Sequence, residues 1–187
     1  MALEVIGMNA AVEKLSSFEW LGRELRAKVA VYEACIAATG ERPPSWDEKL
    51  GVIAKMECEL QKDLAYLLAT GEYSAESPER KRIEDHLFKS IYAVADSEKK
   101  YKKNELPNTC RLIARMELFF FLYHWLNDDY KLQGRLRAAG ILNVMTVKTY
   151  ENNWKHYGDA LNLMLTEAKE AADTHINNYR KDLRLKN

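Results

Sequence analysis

The sequence predicts an all-α protein: a single-domain irregular bundle of five to seven helices with a long C-terminal helix. Its apolar residues recur at spacings of three and four, and the strict alternation that is typical of strands never lasts more than a few positions. Of the 187 residues, 47% are hydrophobic and 30% are charged, with only 8 Gly and 4 Pro, as in a folded helical chain. A chain of this length usually forms one core.

Capping residues predict where the helices begin and end. Ser16 precedes Glu19 by three residues, the spacing of a capping box, and Ser77 before Pro78 is typical of a helix start. Gly140 predicts a turn. The predicted helices cover approximately residues 2–15, 17–39, 46–70, 78–103, 109–127, 129–139 and 146–185.

The predicted helix over 46–70 has one irregularity. Its apolar residues keep helical spacing throughout, except that Glu57 falls on the apolar stripe. Met56 can fill the same gap if Glu57 turns outward. We therefore expect a continuous helix that ends before Gly71, with no functional role for Glu57.

Aromatic residues are concentrated between Phe119 and Trp125. The apolar segment from Leu118 to Leu126 is far shorter than the roughly 20 residues of a membrane span. Because its apolar groups surround the helix axis, we expect this helix to lie at the centre of the bundle, with Phe120 and Trp125 in the core.

The C-terminal helix is predicted to exceed the domain in length. Forty residues of helix would extend about 60 Å, whereas a compact domain of this size is only about 40 Å across. Either the helix bends at Gly158, or its distal part projects and is covered by another chain. We favour projection, which predicts a homodimer or another protein partner.

The apolar stripe of the C-terminal helix consists of Tyr150, Trp154, Tyr157, Leu161, Met164, Ala168, Ala171, His175, Tyr179 and Leu183. The predicted partner-binding residues are His175, Tyr179, Arg180, Lys181, Leu183 and Arg184.

Sequence motifs for known chemistry are missing. The chain contains no GxGxxG, GxxxxGK[ST], HExxH or GxSxG motif, and no Glu precedes a His by three residues. Cys35, Cys58 and Cys110 lie far apart, without a CxxC pair, as expected of reduced thiols. We therefore predict no catalytic residue, no cofactor and no metal ion.

A second interpretation is nucleic-acid binding. Residues 135–155 resemble a helix-turn-helix with Gly140 in the turn, although the apolar residue after the turn is one position late. The net charge is zero, but acidic residues exceed basic ones before Pro78 and basic ones exceed acidic ones after it. The residues that could contact phosphates or bases are Lys99, Lys100, Lys102, Lys103, Lys148, Asn152, Asn153 and Lys155.

These observations predict a non-catalytic protein-binding module, acting through helical faces as a regulator or inhibitor of a larger assembly. The N-terminal segment contains Glu4 and Glu13 and lacks the features of a signal peptide, so we expect a cytoplasmic protein without membrane contact. The alternative is a helical nucleic-acid-binding regulator. An enzyme built from scattered residues is the third hypothesis.

Overall fold

The computed structural model of the protein describes residues 16–25, 46–98 and 105–185, and within them every regular element is helical, which confirms the all-α fold. The predicted helix over 2–15 lies outside the described residues, and the one over 17–39 is described only as far as Leu25. The helices are α1 (Ser17–Leu25), α2 (Trp46–Ala54), α3 (Glu59–Thr70), α4 (Pro78–Ser97), α5 (Leu106–Leu122), α6 (Leu132–Ala138), α7 (Val147–Asn153) and α8 (Lys155–Leu185).

The predicted helix over 46–70 is interrupted, so the prediction of one continuous helix is wrong. Helix α2 ends at Ala54, and Cys58 adopts an extended conformation (φ −109°, ψ 133°) immediately before α3 begins. The interruption lets Met56 lie in the core while Glu57 points into solvent. Gly71 ends α3 in the left-handed region with φ 69°, as predicted.

The predicted helix over 146–185 is also two helices. Thr146 caps α7 by accepting a hydrogen bond from the N–H of Thr149, and the helix stops at Trp154, whose backbone leaves the helical region at φ −124°. Trp154 is buried, so the interruption between α7 and α8 accompanies the packing of this side chain in the core. The predicted bend point, Gly158, lies inside α8.

The main core is built around α5, as predicted. Helix α5 packs against α4 on one side and α8 on the other, and α3 completes this layer by contacting α4 and α8. Ile113, Leu118 and Phe120 of α5 are buried in it. None of the described helices combines the length and the apolar composition that crossing a membrane would require.

A second core cluster covers the distal part of α8. Ala172 and Ile176 of α8 are fully buried against Leu21 of α1, Val52 of α2 and Ala69 of α3. As far as Tyr179 the apolar stripe of the distal helix therefore packs inside the chain, and the predicted projection is wrong for this part of the helix. The 31 residues of α8 span about 46 Å.

The buried stripe of α8 follows the predicted one at Tyr157, Leu161 and Ala168 and is shifted by one residue at three other positions. Leu165, Ala172 and Ile176 are buried, where the sequence predicted Met164, Ala171 and His175. An α helix has 3.6 residues per turn, so a stripe read from sequence drifts around the helix unless its register is fixed by a partner. Helices α1, α2 and α3 fix that register here.

Candidate functional site

The aromatic segment is divided between the core and the surface. Helix α5 ends at Leu122, Tyr123 takes φ −105° and ψ 52°, and His124–Leu126 forms a turn of 3₁₀ helix. Phe120, inside α5, is only 2% exposed, whereas the side chain of Trp125, beyond its end, is 54% exposed. The prediction that Phe120 lies in the core is confirmed, and the same prediction for Trp125 is wrong.

Four rings form a connected surface that we call the aromatic face: Tyr73, Tyr123, His124 and Trp125. The ring of Tyr123 stands edge-on to Tyr73 at 5.5 Å and to Trp125 at 5.4 Å, measured between centroids. His124 stands edge-on to Trp125 at 5.3 Å. Edge-to-face contacts of this kind stabilise a fixed arrangement of rings. The aromatic face is therefore an organised surface, although Trp125 and His124 are largely in solvent.

A cavity of about 180 Å³ adjoins the aromatic face. Tyr73 and His124 belong to both. Phe120 and Phe121 of α5 form apolar walls. Its polar lining comes from several elements: Glu117 of α5, Asn127 after the 3₁₀ turn, Arg135 of α6, and Asn162 and Lys169 of α8.

A partly buried ion pair lies at the cavity wall. Arg135 Nη2 donates to Glu117 Oε2 at 3.0 Å, and the hydroxyl of Tyr150 donates to Glu117 Oε1 at 3.4 Å. The Arg135 guanidinium also lies 4.6 Å from the centroid of the Phe120 ring. Burial raises the pKa of Glu117, and the positive charge of Arg135 acts in the opposite direction. Burial likewise raises the pKa of Tyr150, and the charge of Glu117 adds to this effect.

Gly158 allows α8 to lie against this polar cluster. A Cβ atom at Gly158 would be 2.6 Å from Tyr150 Oη and 2.8 Å from Glu117 Oε1, closer than Cβ atoms come to other atoms. A Cβ atom here would displace the Tyr150 hydroxyl and the Glu117 carboxylate, so Gly158 serves the packing of α8 against this cluster and does not mark a bend in α8.

Two of the predicted partner-binding residues of α8, Tyr179 and Arg180, make contacts within the chain. Tyr179 is half-buried against the second core cluster, and the Arg180 guanidinium lies 5.2 Å from the centroid of the Trp20 ring of α1. His175 is half-buried and Lys181 is exposed. The side chains of Leu183 and Arg184 lie outside the described residues.

The segment that resembles a helix-turn-helix has a longer connection than that motif. Residues 139–146, including a 3₁₀ turn at Ile141–Asn143, separate α6 from α7, whereas the motif joins its helices by three or four residues. Gly140 does take a left-handed conformation, with φ 73°. The compact motif is therefore not formed.

The residues predicted to bind nucleic acid are only partly described. Lys148 and Asn152 are exposed one turn apart on α7, and Lys155 is exposed at the start of α8. Asn153 is exposed as well and has a further interaction within the chain. The cluster of Lys99, Lys100, Lys102 and Lys103 lies outside the described residues.

Neither a metal site among the described residues nor a related protein indicates a function. Within residues 16–25, 46–98 and 105–185, no three His, Cys, Asp or Glu residues are placed to hold a metal ion. Comparison of the chain with protein-family models, curated proteins and solved structures found no match in any of the three.

Sequence reasoning missed the polar residues of the cavity. One of them left a signal: Glu117 follows Ile113 by four residues and precedes Phe120 by three, which places a carboxylate on the core face of α5. Arg135, Asn162 and Lys169 left none, because a polar residue on an amphipathic helix looks the same whether or not a cavity lies beside it.

Proposed function

We propose that the chain is a non-catalytic protein-binding module that docks a partner on the aromatic face. The observation that supports this proposal is the 54% exposure of Trp125 within an organised set of rings. Trp and Tyr are enriched among the residues that contribute most to protein association, and they contribute most beside well-formed pockets. A cavity of about 180 Å³ lies next to Tyr73 and His124, two of the four rings.

The contents of the cavity favour binding over catalysis. In the part of the chain that the structure describes, its lining contains one carboxylate, Glu117, and no Ser, Thr or Cys. A buried carboxyl group with a raised pKa is a general-acid candidate in many enzymes. Here, however, Arg135 and Tyr150 already bind both of its oxygens. We therefore assign Glu117 a structural role at the cavity wall.

Comparative capture from lysate tests the proposal. Wild-type protein, Trp125→Ala and Leu163→Ala are immobilised at equal density, and the retained proteins are quantified by mass spectrometry. Leu163 is a matched control, because it is 59% exposed on α8 and belongs neither to the aromatic face nor to the cavity lining. We expect a protein that wild type and Leu163→Ala retain and that Trp125→Ala loses. Equal retention by all three would place the binding surface elsewhere.

The finer parts of the proposal concern compartment, role and oligomeric state. A cytoplasmic regulator or inhibitor is in keeping with Cys58 and Cys110, which are both free thiols. The homodimer stays a separate prediction, because the distal stripe of α8 that suggested it is covered by α1, α2 and α3. A mass of twice 21.6 kDa in light scattering would support a dimer, and a mass of 21.6 kDa would exclude it.

Nucleic-acid binding is the second candidate function. The observation that favours it is the exposure of Lys148 and Asn152 on one side of α7, with Lys155 close by. Retardation of duplex DNA or RNA should then occur at about 50 mM salt and weaken steeply by about 200 mM. Lys148→Ala should reduce the salt dependence by about one counterion. Absence of retardation at the lower salt concentration would exclude this function.

A further inference from the structure

The cavity beside the aromatic face has more positive than negative charge. Its lining contains two permanent cations, Arg135 and Lys169, and one carboxylate, Glu117. Arg135 neutralises that carboxylate through the 3.0 Å contact. Among the described residues, no carboxylate lies within ion-pair distance of the Lys169 ammonium group. Lys169 is exposed, so its positive charge faces water and not a carboxylate of the lining. The charge of Asp159 also acts on Glu117, but Asp159 does not belong to the lining.

Hydrogen-bond donors at the cavity also have spare capacity. Within the described ranges, Arg135 Nε has no hydrogen-bond partner. The amide of Asn162 makes no side-chain hydrogen bond there, and Asn127 Nδ2 donates only over 3.5 Å, to the carbonyl of Phe120. Asn127, Asn162 and Lys169 are exposed, so water can pair with them, whereas Arg135 Nε is buried. Since buried polar groups are nearly always paired, this donor, with the Lys169 cation on the same lining, is suited to an anionic acceptor.

The size of the cavity limits what can enter. Its volume is about 180 Å³. That space admits one side chain and not a folded element. The rings of Phe120 and Phe121 would contact the methylene groups of such a side chain, while its end reaches the polar lining.

We propose that the cavity takes the carboxylate of an Asp or Glu side chain from the protein segment that docks on the aromatic face. This inference rests on the proposed function, since the segment is the one whose apolar side chain contacts Trp125. Lys169 and Asn162 bind the carboxylate, and the ion pair of Glu117 with Arg135 fixes the far wall. The partner is thus an acidic peptide segment with an apolar residue near its acidic one.

Selection from a random peptide library displayed on phage tests the inference without a known partner. Wild-type protein should enrich peptides that pair an acidic residue with a neighbouring apolar residue. Lys169→Glu should remove the acidic preference and keep the apolar one, and it should weaken the best wild-type peptide about tenfold. Lys148→Glu is the matched control, because it reverses an exposed charge on α7 outside the cavity lining, and it should leave the preference unchanged.

The outcomes separate the inference from the function on which it rests. The inference would be overturned if the selected peptides need Trp125 but show no preference for acidic residues, or if Lys169→Glu does not change their binding. The protein-binding proposal would remain valid in either case. Failure of the library to yield any peptide that depends on Trp125 would overturn both. Free glutarate that displaces the selected peptide at an affinity equal to the peptide's own would also overturn the inference, because the site would then serve a small carboxylic acid.

Discussion

Replacing Gly22 with alanine tests whether α1 covers the distal part of α8. A Cβ atom at Gly22 would lie 1.9 Å from the carbonyl oxygen of Ala69 and 2.8 Å from its carbonyl carbon. Both atoms belong to the backbone of α3, which cannot rotate aside as a side chain can. Gly22→Ala must therefore separate α1 from α3.

The magnitude follows from what that separation exposes. Leu21 is completely buried between these helices, and burial of a leucine side chain contributes about 1.5 to 3 kcal/mol. The movement of α1 would also break the hydrogen bond from the Ser17 hydroxyl to Asp173 of α8, at a cost of about 1 kcal/mol. Alanine gains about 1 kcal/mol over glycine inside a helix, which offsets part of the loss. We expect Gly22→Ala to lower the free energy of unfolding by about 2 kcal/mol.

Urea unfolding followed by circular dichroism measures this change. Gly51→Ala is the matched control, because Gly51 lies inside the equally short α2 and a Cβ there would meet no atom within 4 Å. That variant should gain up to about 1 kcal/mol from helix propensity. If Gly22→Ala gained stability as Gly51→Ala does, α1 would not pack on α3 at this point, and the distal stripe of α8 would again be open to a partner.

Three further predictions concern the site and the core. In thermal unfolding, Phe120→Ala should lower the free energy of unfolding by about 3 to 5 kcal/mol, and Trp125→Ala should lower it by under about 1 kcal/mol. Equal losses would contradict the finding that Phe120 lies in the core and Trp125 at the surface. Because the pKa of Glu117 is raised on folding, the folded state keeps the proton on this carboxyl group to higher pH than the unfolded state does. Urea titrations at successive pH values should therefore show wild type losing stability relative to Glu117→Gln as pH rises above 4.5. A stability difference that does not change with pH would contradict the raised pKa. A thiol reagent should label the exposed Cys58 in the native protein but should label Cys110 only after unfolding, because burial raises the pKa of the Cys110 thiol to about 11. Peptide mass spectrometry can follow both reactions. Labelling of Cys110 in the native protein would contradict its burial.

Helix starts and stops could be predicted wherever local chemistry determines them. The capping box is confirmed, because Glu19 N–H donates to Ser16 Oγ at 3.3 Å and Ser16 N–H donates to Glu19 Oε2 at 3.0 Å. Ser77 likewise accepts from the N–H of Arg80 ahead of α4. These signals act over three or four residues, so they are present in the sequence whatever the rest of the fold does.

The interruptions at Cys58 and Trp154 could not be predicted in the same way. Neither position has a proline or glycine beside it, and the apolar spacing continues across both. Each interruption accompanies the burial of a large side chain, Met56 in one case and Trp154 in the other. Propensity favours a helix by only tenths of a kcal/mol per residue, whereas burial of such a side chain is worth about 1.5 to 3 kcal/mol, so tertiary packing decides.

The end of α5 has the largest functional consequence of these unpredicted boundaries. If α5 continued beyond Leu122, Trp125 would lie one turn from Phe121 on the same helix. The aromatic side chains would then surround the helix axis, and all of them would require burial. Because the chain turns at Tyr123, Phe120 remains in the core while His124 and Trp125 reach the surface beside the cavity. The same turn brings Asn127 to the cavity lining. A single change of backbone direction thus accounts for the exposed rings that an apolar side chain would contact, while Lys169 and Asn162 of α8 line the part of the cavity that an acidic side chain would enter.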